Sequence, residues 1–505
     1  MVLVRSIGPQ SRPPHGRPEI DPAQPIPLYF QLKTLLLEEI LRGQYGPDER
    51  LPTEHELCER YGISRTPVTR ALSELAEEGV ILRRRRRGTF VNPHWLRRPP
   101  EQPEVRVIVP EGPWERMLFE SAPDDISLNV VTVARPALHR VLTHSVAEGR
   151  APDLAVLDSV WTHEFAAAGF LYALEDLDEA WVRGEYEADF LPPLVAASRY
   201  EERTFAVSGF ADAAGLWYRR RELESAGIRP PGTWSHLRSA ARALMQTGIP
   251  HPLVMPGGSK GGETTAYCLT AFLASNGAQV LGPAGVTLHS RATAQALRFL
   301  HGLVETGILS AEVVRYEWNR PIRLLAEAQA AISFGGSYEA LALAESLGVP
   351  LQSLGEQVGF IPVPAGPRGA AASVLGSMVF GIFRQAGNPI GAMRLLESAV
   401  APASLANVAR STGRIPARRS AVALAAPEVP FLAQTAGFLD RAVTRPSTPS
   451  YARVSSQLQV MLEAVLTGRL GPAAACRGTS ELIAGITGLP VVGTHDAARS
   501  LLSAA

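Results

Sequence analysis

Arg65, Thr66, Thr69 and Arg70 fall at the spacing that puts side chains on one face of a helix, and five consecutive arginines, Arg83 to Arg87, run up to Gly88. Guanidinium groups hold phosphate oxygens and read guanine edges, and threonine hydroxyls reach either bases or backbone. The chemistry offered is the binding of a nucleic acid. Two short helices have to present it. Glu54, Leu57, Cys58 and Tyr61 recur at i, i+3, i+4 and i+7 and make one face of the first, with Cys58 on its buried stripe. Tyr61-Gly62-Ile63-Ser64 is a tight turn, and Ser64 suits an N-cap whose hydroxyl accepts a first-turn N–H. Pro67 then sits where no intrahelical partner is lost, and Val68, Ala71, Leu72 and Leu75 form the second helix's apolar stripe. Ile81 to Val91 adds a basic β-hairpin bent at a glycine. A helix pair with Arg and Thr outward enters the DNA major groove, and the wing lies beside it.

Pro27-Leu28-Tyr29, the amphipathic run to Gly43, Leu51-Pro52-Thr53-Glu54 and Ser64-Arg65-Thr66-Pro67-Val68 resemble the winged-helix head of the GntR transcription-regulator family over about residues 25–93. The chain departs from that family at His55 and Thr69, where arginines are common, and in a wing of arginines where Gly-x-Gly is frequent. The DNA-contacting set expected is His55, Ser64, Arg65, Thr66, Thr69, Arg70, Arg86, Arg87 and Gly88, with a double-stranded operator as partner. The departures leave the base sequence it reads open.

A chain of 505 residues is too long for one core. With 46% hydrophobic residues the composition is that of globular domains, and no apolar run reaches a membrane span. Residues 1–24 are rich in Pro, Arg and polar residues, so a disordered arm is expected; they lack a signal peptide's apolar core, which points to the cytoplasm. Three distant cysteines, Cys58, Cys268 and Cys476, make neither a disulfide framework nor a zinc site. Net charge is zero but unevenly spread: residues 1–98 carry 16 Lys and Arg against 12 Asp and Glu. The basic excess sits in the head, where a polyanion would need it.

Residues 94–103 form a Pro-rich linker. Beyond it Val105 to Val109, Leu128 to Val133 and Asp153 to Asp158 are strands, with helical stretches around 137–149 and 160–170. That alternation favours an α/β layer with a largely parallel sheet, in which ligands gather at the C-terminal ends of strands. Pro152-Asp153-Leu154-Ala155-Val156, Trp161, Phe165 to Gly169, Leu216-Trp217-Tyr218, Pro230-Pro231, Thr233-Trp234, Ala331 to Tyr338, Gly413 to Arg418 and Arg445 to Tyr451 follow the course of the type 1 extracellular solute-binding proteins, the binding components of ABC sugar importers. The resemblance covers about 104–490, leaving 491–505 as a tail. It implies a periplasmic-binding-protein-like (type 2) body of two α/β lobes. Lobe one would be about 104–210 and 372–420, lobe two about 213–370 and 421–490.

A sugar presents hydroxyl edges and an apolar face, so its sites combine planar hydrogen-bonding groups with aromatic platforms. Candidates near the implied cleft are Trp114, Asp158, Trp161, Asp212, Tyr267, Tyr338, Ser377 and Tyr451. Gly335-Gly336 would let a ligand approach the backbone. An isolated Trp or Tyr in an α/β protein packs a core more often than it carries a ligand. Trp217 and Trp234 are assigned to the core on that ground, and Arg414 is taken as a solvated charge.

The fold expected is therefore an N-terminal winged helix-turn-helix followed by a two-lobed α/β body. The function expected is a DNA-binding regulator, homodimeric, whose body senses a mono- or oligosaccharide; no cofactor, metal or membrane partner is expected. Two alternatives stand beside it. A pyridoxal-phosphate aminotransferase-like body would need a Schiff-base lysine, and Lys260, in a Gly-Gly-Ser-Lys-Gly-Gly surface loop, is the single candidate outside the head. A body that only dimerises would have lost its cleft aromatics, and they are present.

Overall fold

The computed structural model describes residues 27–41, 43–84, 87–93, 104–439 and 442–492, together with Ile20 and Trp95. All of the expected arm but Ile20, most of the linker, Arg86 and nearly all of the tail lie outside them. The chain divides into two compact units, residues 1–112 with 127–152, and residues 113–126 with 153–505.

The first unit opens on helices α1 (Leu28–Leu41), α2 (Glu54–Tyr61) and α3 (Arg65–Glu77) and the hairpin β1 (Ile81–Arg84) and β2 (Gly88–Val91). Thr53 caps α2: its hydroxyl accepts from the Glu56 N–H at 3.3 Å, and the Glu56 carboxylate accepts from the Thr53 N–H at 2.7 Å. Gly62 ends α2 in the left-handed conformation (φ 64°). Ser64 precedes α3 with extended backbone, but its hydroxyl makes no capping hydrogen bond, contrary to the sequence expectation. It stays exposed beside Arg65. On α2 only Leu57 is fully buried, and Cys58 and Tyr61 are half-buried. Val68, Ala71, Leu72 and Leu75 are buried as expected. Gly88 holds φ +112°, and a Cβ there would meet the Arg50 guanidinium at 2.8 Å, so the wing needs glycine at this corner.

The run expected to be amphipathic is instead buried on almost every side. α1 packs against α3 and also against helix Leu138–Ala147 and strand β4 (Ser127–Val133), which pairs in parallel with β3 (Glu104–Pro110). A helix enclosed on both flanks has no solvent stripe, so its polar residues are matched. Glu38 accepts from two of the three guanidinium nitrogens of Arg140, Nε at 2.8 Å and Nη2 at 2.5 Å. Glu39 receives Arg60 at 2.6 Å and the Tyr61 hydroxyl at 3.1 Å. Lys33 is buried between Glu74 and Glu78, and the Thr34 hydroxyl accepts from the Ala134 N–H. The head is thereby fastened to the β3–β4 layer within one unit.

In the second unit the sheet runs β5 (Leu154–Asp158), β10 (Leu375–Ile382), β6 (Val207–Arg219), β8 (Ala330–Gly336), β7 (His251–Val254), with β9 (Val358–Ile361) also paired to β6. The strand–helix–strand pattern led to a largely parallel sheet, and the structure differs. β7–β8 is parallel, while β10 is antiparallel to both β5 and β6, and β6 to β8 and β9. Local alternation reports crossover units only. β10 arrives from far along the chain, and nothing local fixes its direction. β6 is the axis: its first half pairs with β10 and its second with β8, and twelve of its thirteen residues are buried. Trp217 and Trp234 lie in the core as expected, Trp217 stacked on Phe431 and Trp234 on Phe272.

Candidate nucleic-acid interface and solute cleft

On the head, His55, Ser64, Arg65, Thr66, Arg70 and Arg87 are exposed and Thr69 and Gly88 half-exposed. α3 carries Arg65, Thr66, Thr69 and Arg70 along one face. Their order comes from a residue that the sequence placed only on the face of the preceding helix and not among the contacting residues. Glu54, at the start of α2, accepts from Arg65 Nε at 2.9 Å and the Thr69 hydroxyl at 3.2 Å through one oxygen, and from Arg83 of the wing at 2.6 Å through the other. Partial burial pushes its carboxyl upward, but the hydrogen bonds from Arg65 and Thr69 and the charges of Arg65 and Arg83 outweigh that and hold it below the usual range. One carboxylate thus ties α3 to the wing. Arg70 lies over the Tyr29 ring at 3.7 Å, donates to its hydroxyl at 2.9 Å and pairs with Glu74. Arg84 is held by Asp48 and lies over Phe90. These contacts leave Arg65 and Arg70 mostly exposed and restrict the rotamer freedom of all four arginines.

In the second unit several cleft candidates meet around a residue outside the expected set. Arg445 reaches Asp158 at 3.0 Å, Ser159 at 3.5 Å and Glu263 at 2.7 Å. Glu263 also accepts from the Tyr451 hydroxyl at 2.6 Å and from Ser455 at 2.5 Å. The Arg445 guanidinium lies 5.5 Å from the Tyr267 ring and 5.9 Å from that of Tyr451. Burial drives the Glu263 carboxyl upward against the pull of Arg445. Beside this group lies a small cavity of about 30 Å³, partly open to solvent, lined by Ser159, His163, Ser377, Arg445 and Ser447 among others. Burial lowers His163, which favours the neutral ring.

The other candidates sit as follows. Trp114 is 1% exposed, edge-on to Phe210 and Phe380, with the Arg414 guanidinium over its ring. Arg414 is not the solvated charge expected. It pairs with Asp212 at 3.4 Å and its side chain is 12% exposed. Tyr267 is buried, its hydroxyl donating towards the Asp212 and Val374 carbonyls. Tyr338 and Trp161 are half-buried, and Tyr338 lies 6.5 Å from Tyr267, ring to ring. Ser377 donates to Ser208 at 2.8 Å and lines the cavity. The space beside Gly335-Gly336 is taken by the protein itself: a Cβ at 335 would strike the Glu339 carboxylate and one at 336 the Tyr338 ring. Glu339 accepts from Trp217 Nε1 at 3.1 Å and the Gly336 N–H at 3.0 Å, and burial pushes its carboxyl up to about 8. Lys260 is exposed in a short 3₁₀ turn. Among the described residues no group of His, Cys, Asp and Glu is placed to hold a metal, and no helix is long and apolar enough to cross a membrane.

Residues 101–405, well over half of the chain, match the bacterial extracellular solute-binding protein family. The chain belongs to that family. Its head, residues 28–91, matches the bacterial regulatory proteins of the gntR family. The uncharacterized HTH-type transcriptional regulator YurK of Bacillus subtilis (strain 168) is 46% identical over 72 residues, 14% of this chain and 30% of that protein. The chain thus spans under a third of the length of that curated regulator. Maltose-bound MalE3 of T. maritima superposes with a TM-score of 0.67 at 24% identity, covering 75% of this chain and 98% of that one. A solute-binding protein of Thermotoga lettingae bound with alpha-D-tagatose gives 0.68 at 22%, covering 76% and 99%. At these identities the likeness is one of fold. Both matched families are regulatory or solute-binding.

Proposed function

We propose that this solute-binding-family protein is a ligand-responsive transcription regulator acting in the cytoplasm. The gntR-type head binds a double-stranded operator through Arg65, Thr66, Thr69, Arg70 and the wing, with His55, Ser64, Arg87 and Gly88 exposed or half-exposed on the same head; Arg86, outside the described residues, belongs to the same proposed set. Two copies read a palindromic site as a homodimer. The body takes a mono- or oligosaccharide in a cleft bounded by Asp158, Trp161, Asp212, Tyr338 and Ser377, with Trp114, Tyr267 and Tyr451 as its packed floor. Lobe closure on the solute alters operator affinity, and it can do so only through a difference in solute affinity between the two states. The observation that carries the reading is the union, in one chain, of an ordered Arg/Thr reading face with a fold whose solved neighbours hold maltose and tagatose.

A thermal-shift screen of mono- and oligosaccharides on the full chain tests the sensor. A sugar at about a hundred times its Kd stabilises by roughly 2.7 kcal/mol. If amino acids or other solutes raise the melt and no sugar does, the carbohydrate assignment falls. Repeating an operator-binding titration with and without the hit then tests the coupling, and identical affinities would refute it.

A further inference from the structure

The cationic groups of the cleft are already neutralised. Arg445, 5% exposed at its side chain, is shared by two carboxylates, Asp158 and Glu263. Arg414 is matched by Asp212. Three carboxylates therefore stand against two guanidiniums. The remaining polar groups on the cavity wall are neutral: the hydroxyls of Ser159, Ser377, Thr444 and Ser447, and the His163 imidazole, whose protonation burial opposes. Hydroxyls and a neutral ring can both donate to and accept from a polyol. None of them balances an anion, and bringing one in would add a like charge to a site with a surplus carboxylate.

We infer that the solute taken at this cavity is a neutral or amine-bearing polyol, and that Asp158 and Glu263, by masking Arg445, make the site reject phosphorylated and carboxylated sugars. The inference rests on the proposal that this cavity is the solute site. It names two specificity-determining residues and one consequence. The regulator would respond to a sugar before phosphorylation and stay silent once a kinase-type reaction has converted it. Masking differs from absence of charge, because the cation is present and a single isosteric change uncovers it. In Glu263→Gln the Arg445 guanidinium keeps one carboxylate partner, and the local balance moves by one unit towards positive.

The test uses the full chain and calorimetric titration with maltose, glucosamine, glucose 6-phosphate, glucuronate and inorganic phosphate. In the unaltered protein the two acidic sugars should bind at least roughly tenfold more weakly than the better of the neutral and amino sugars, and inorganic phosphate should not bind at millimolar concentration. Glu263→Gln should gain phosphate binding. Asp158→Asn, at the other carboxylate held by Arg445, should do the same and serves if the first variant does not fold. Glucose 6-phosphate binding to the unaltered protein as tightly as the neutral sugars would overturn the inference, as would a folded Glu263→Gln protein indifferent to phosphate. If no sugar binds the unaltered chain but Glu263→Gln acquires phosphate binding, the carbohydrate reading fails and the masking of Arg445 stands.

Discussion

In the head, Arg65 keeps 82% of its side chain exposed and shares one carboxylate, Glu54, with Thr69 and the wing's Arg83. In the solute-binding body, Arg445 is 5% exposed and takes two carboxylates for itself. The same functional group is put to opposite uses. An exposed guanidinium held loosely by one acid keeps most of its field for an incoming polyanion, and its orientation is set in advance. A buried one must have its charge returned by neighbours or it could not be buried at all. The head should therefore give up affinity when its arginines are changed, and the body should give up its fold.

The largest effect follows from that contrast. Arg445→Met leaves Asp158 and Glu263 facing each other without their cation, and breaking a buried pair from one side costs about 3–5 kcal/mol. Urea denaturation of the full chain, followed by tryptophan fluorescence, should show the loss in the body's transition. A change under about 1 kcal/mol would mean that water screens the site and that the pairing is ornamental.

Next comes Glu339, where the body stores an acid rather than a base. With its carboxyl raised to about 8 from an ordinary 4.5, the folded protein holds a proton that the unfolded chain has already released between those values. Unfolding is therefore favoured progressively as pH rises from about 4.5 to 8, and no further loss comes from this group beyond that. Glu339→Gln keeps an acceptor for Trp217 Nε1 and the Gly336 N–H and cannot ionise. Its stability relative to the parent should climb with pH, by at most about 1.4 kcal/mol per unit, and level off above 8. A pH-independent difference would show Glu339 to be ionised in the fold.

Arg65→Ala makes the complementary statement about the head. At 82% exposure its removal should leave the melting transition within about 0.5 kcal/mol. Operator binding should weaken by about 1–3 kcal/mol, measured by fluorescence anisotropy at moderate salt. Unchanged affinity would remove Arg65 from the interface; a stability loss like that of Arg445→Met would abolish the distinction between the two units.

These differences explain what the sequence disclosed. The pattern of α3 was legible because its parts are local: Val68, Ala71, Leu72 and Leu75 repeat at helical spacing, and the placing of Arg65, Thr66, Thr69 and Arg70 away from that stripe follows from the same period. The family course of the body was legible through ordered landmarks spread over hundreds of residues. Its charge network was not, since Arg445 and Asp158 are 287 residues apart and no local pattern says that they touch. Arg414 looked like a surface charge for the same reason, its partner Asp212 being 202 residues away. β6 was not read as a strand: Val-Ser-Gly-Phe-Ala-Asp-Ala-Ala-Gly has no alternation because both faces are buried, and the period-2 signal needs one wet face. α1 misled in the opposite sense, since its polar residues suggested an outer face and the structure buries them in matched pairs.

The smallest effect is the most discriminating, because it separates the amount of charge on the head from its placement. Glu54→Gln removes one negative charge from among Arg65, Thr69 and Arg83, and keeps a side chain of the same shape. The net field towards DNA rises by one unit, so non-specific binding should strengthen and its salt dependence should steepen by about one phosphate equivalent. The reading side chains meanwhile lose the acceptor that fixes Arg65 and Arg83 relative to each other, and base contacts need that fixed geometry far more than phosphate contacts do. Specific affinity should stay the same or fall by a few tenths of a kcal/mol, so the ratio of specific to non-specific binding drops while the total affinity for random DNA climbs. Parallel titrations of an operator duplex and a scrambled one across a salt series would read both. Equal gains on the two duplexes would mean that Glu54 merely dilutes the head's charge, and that α3 and the wing find their register on DNA without it.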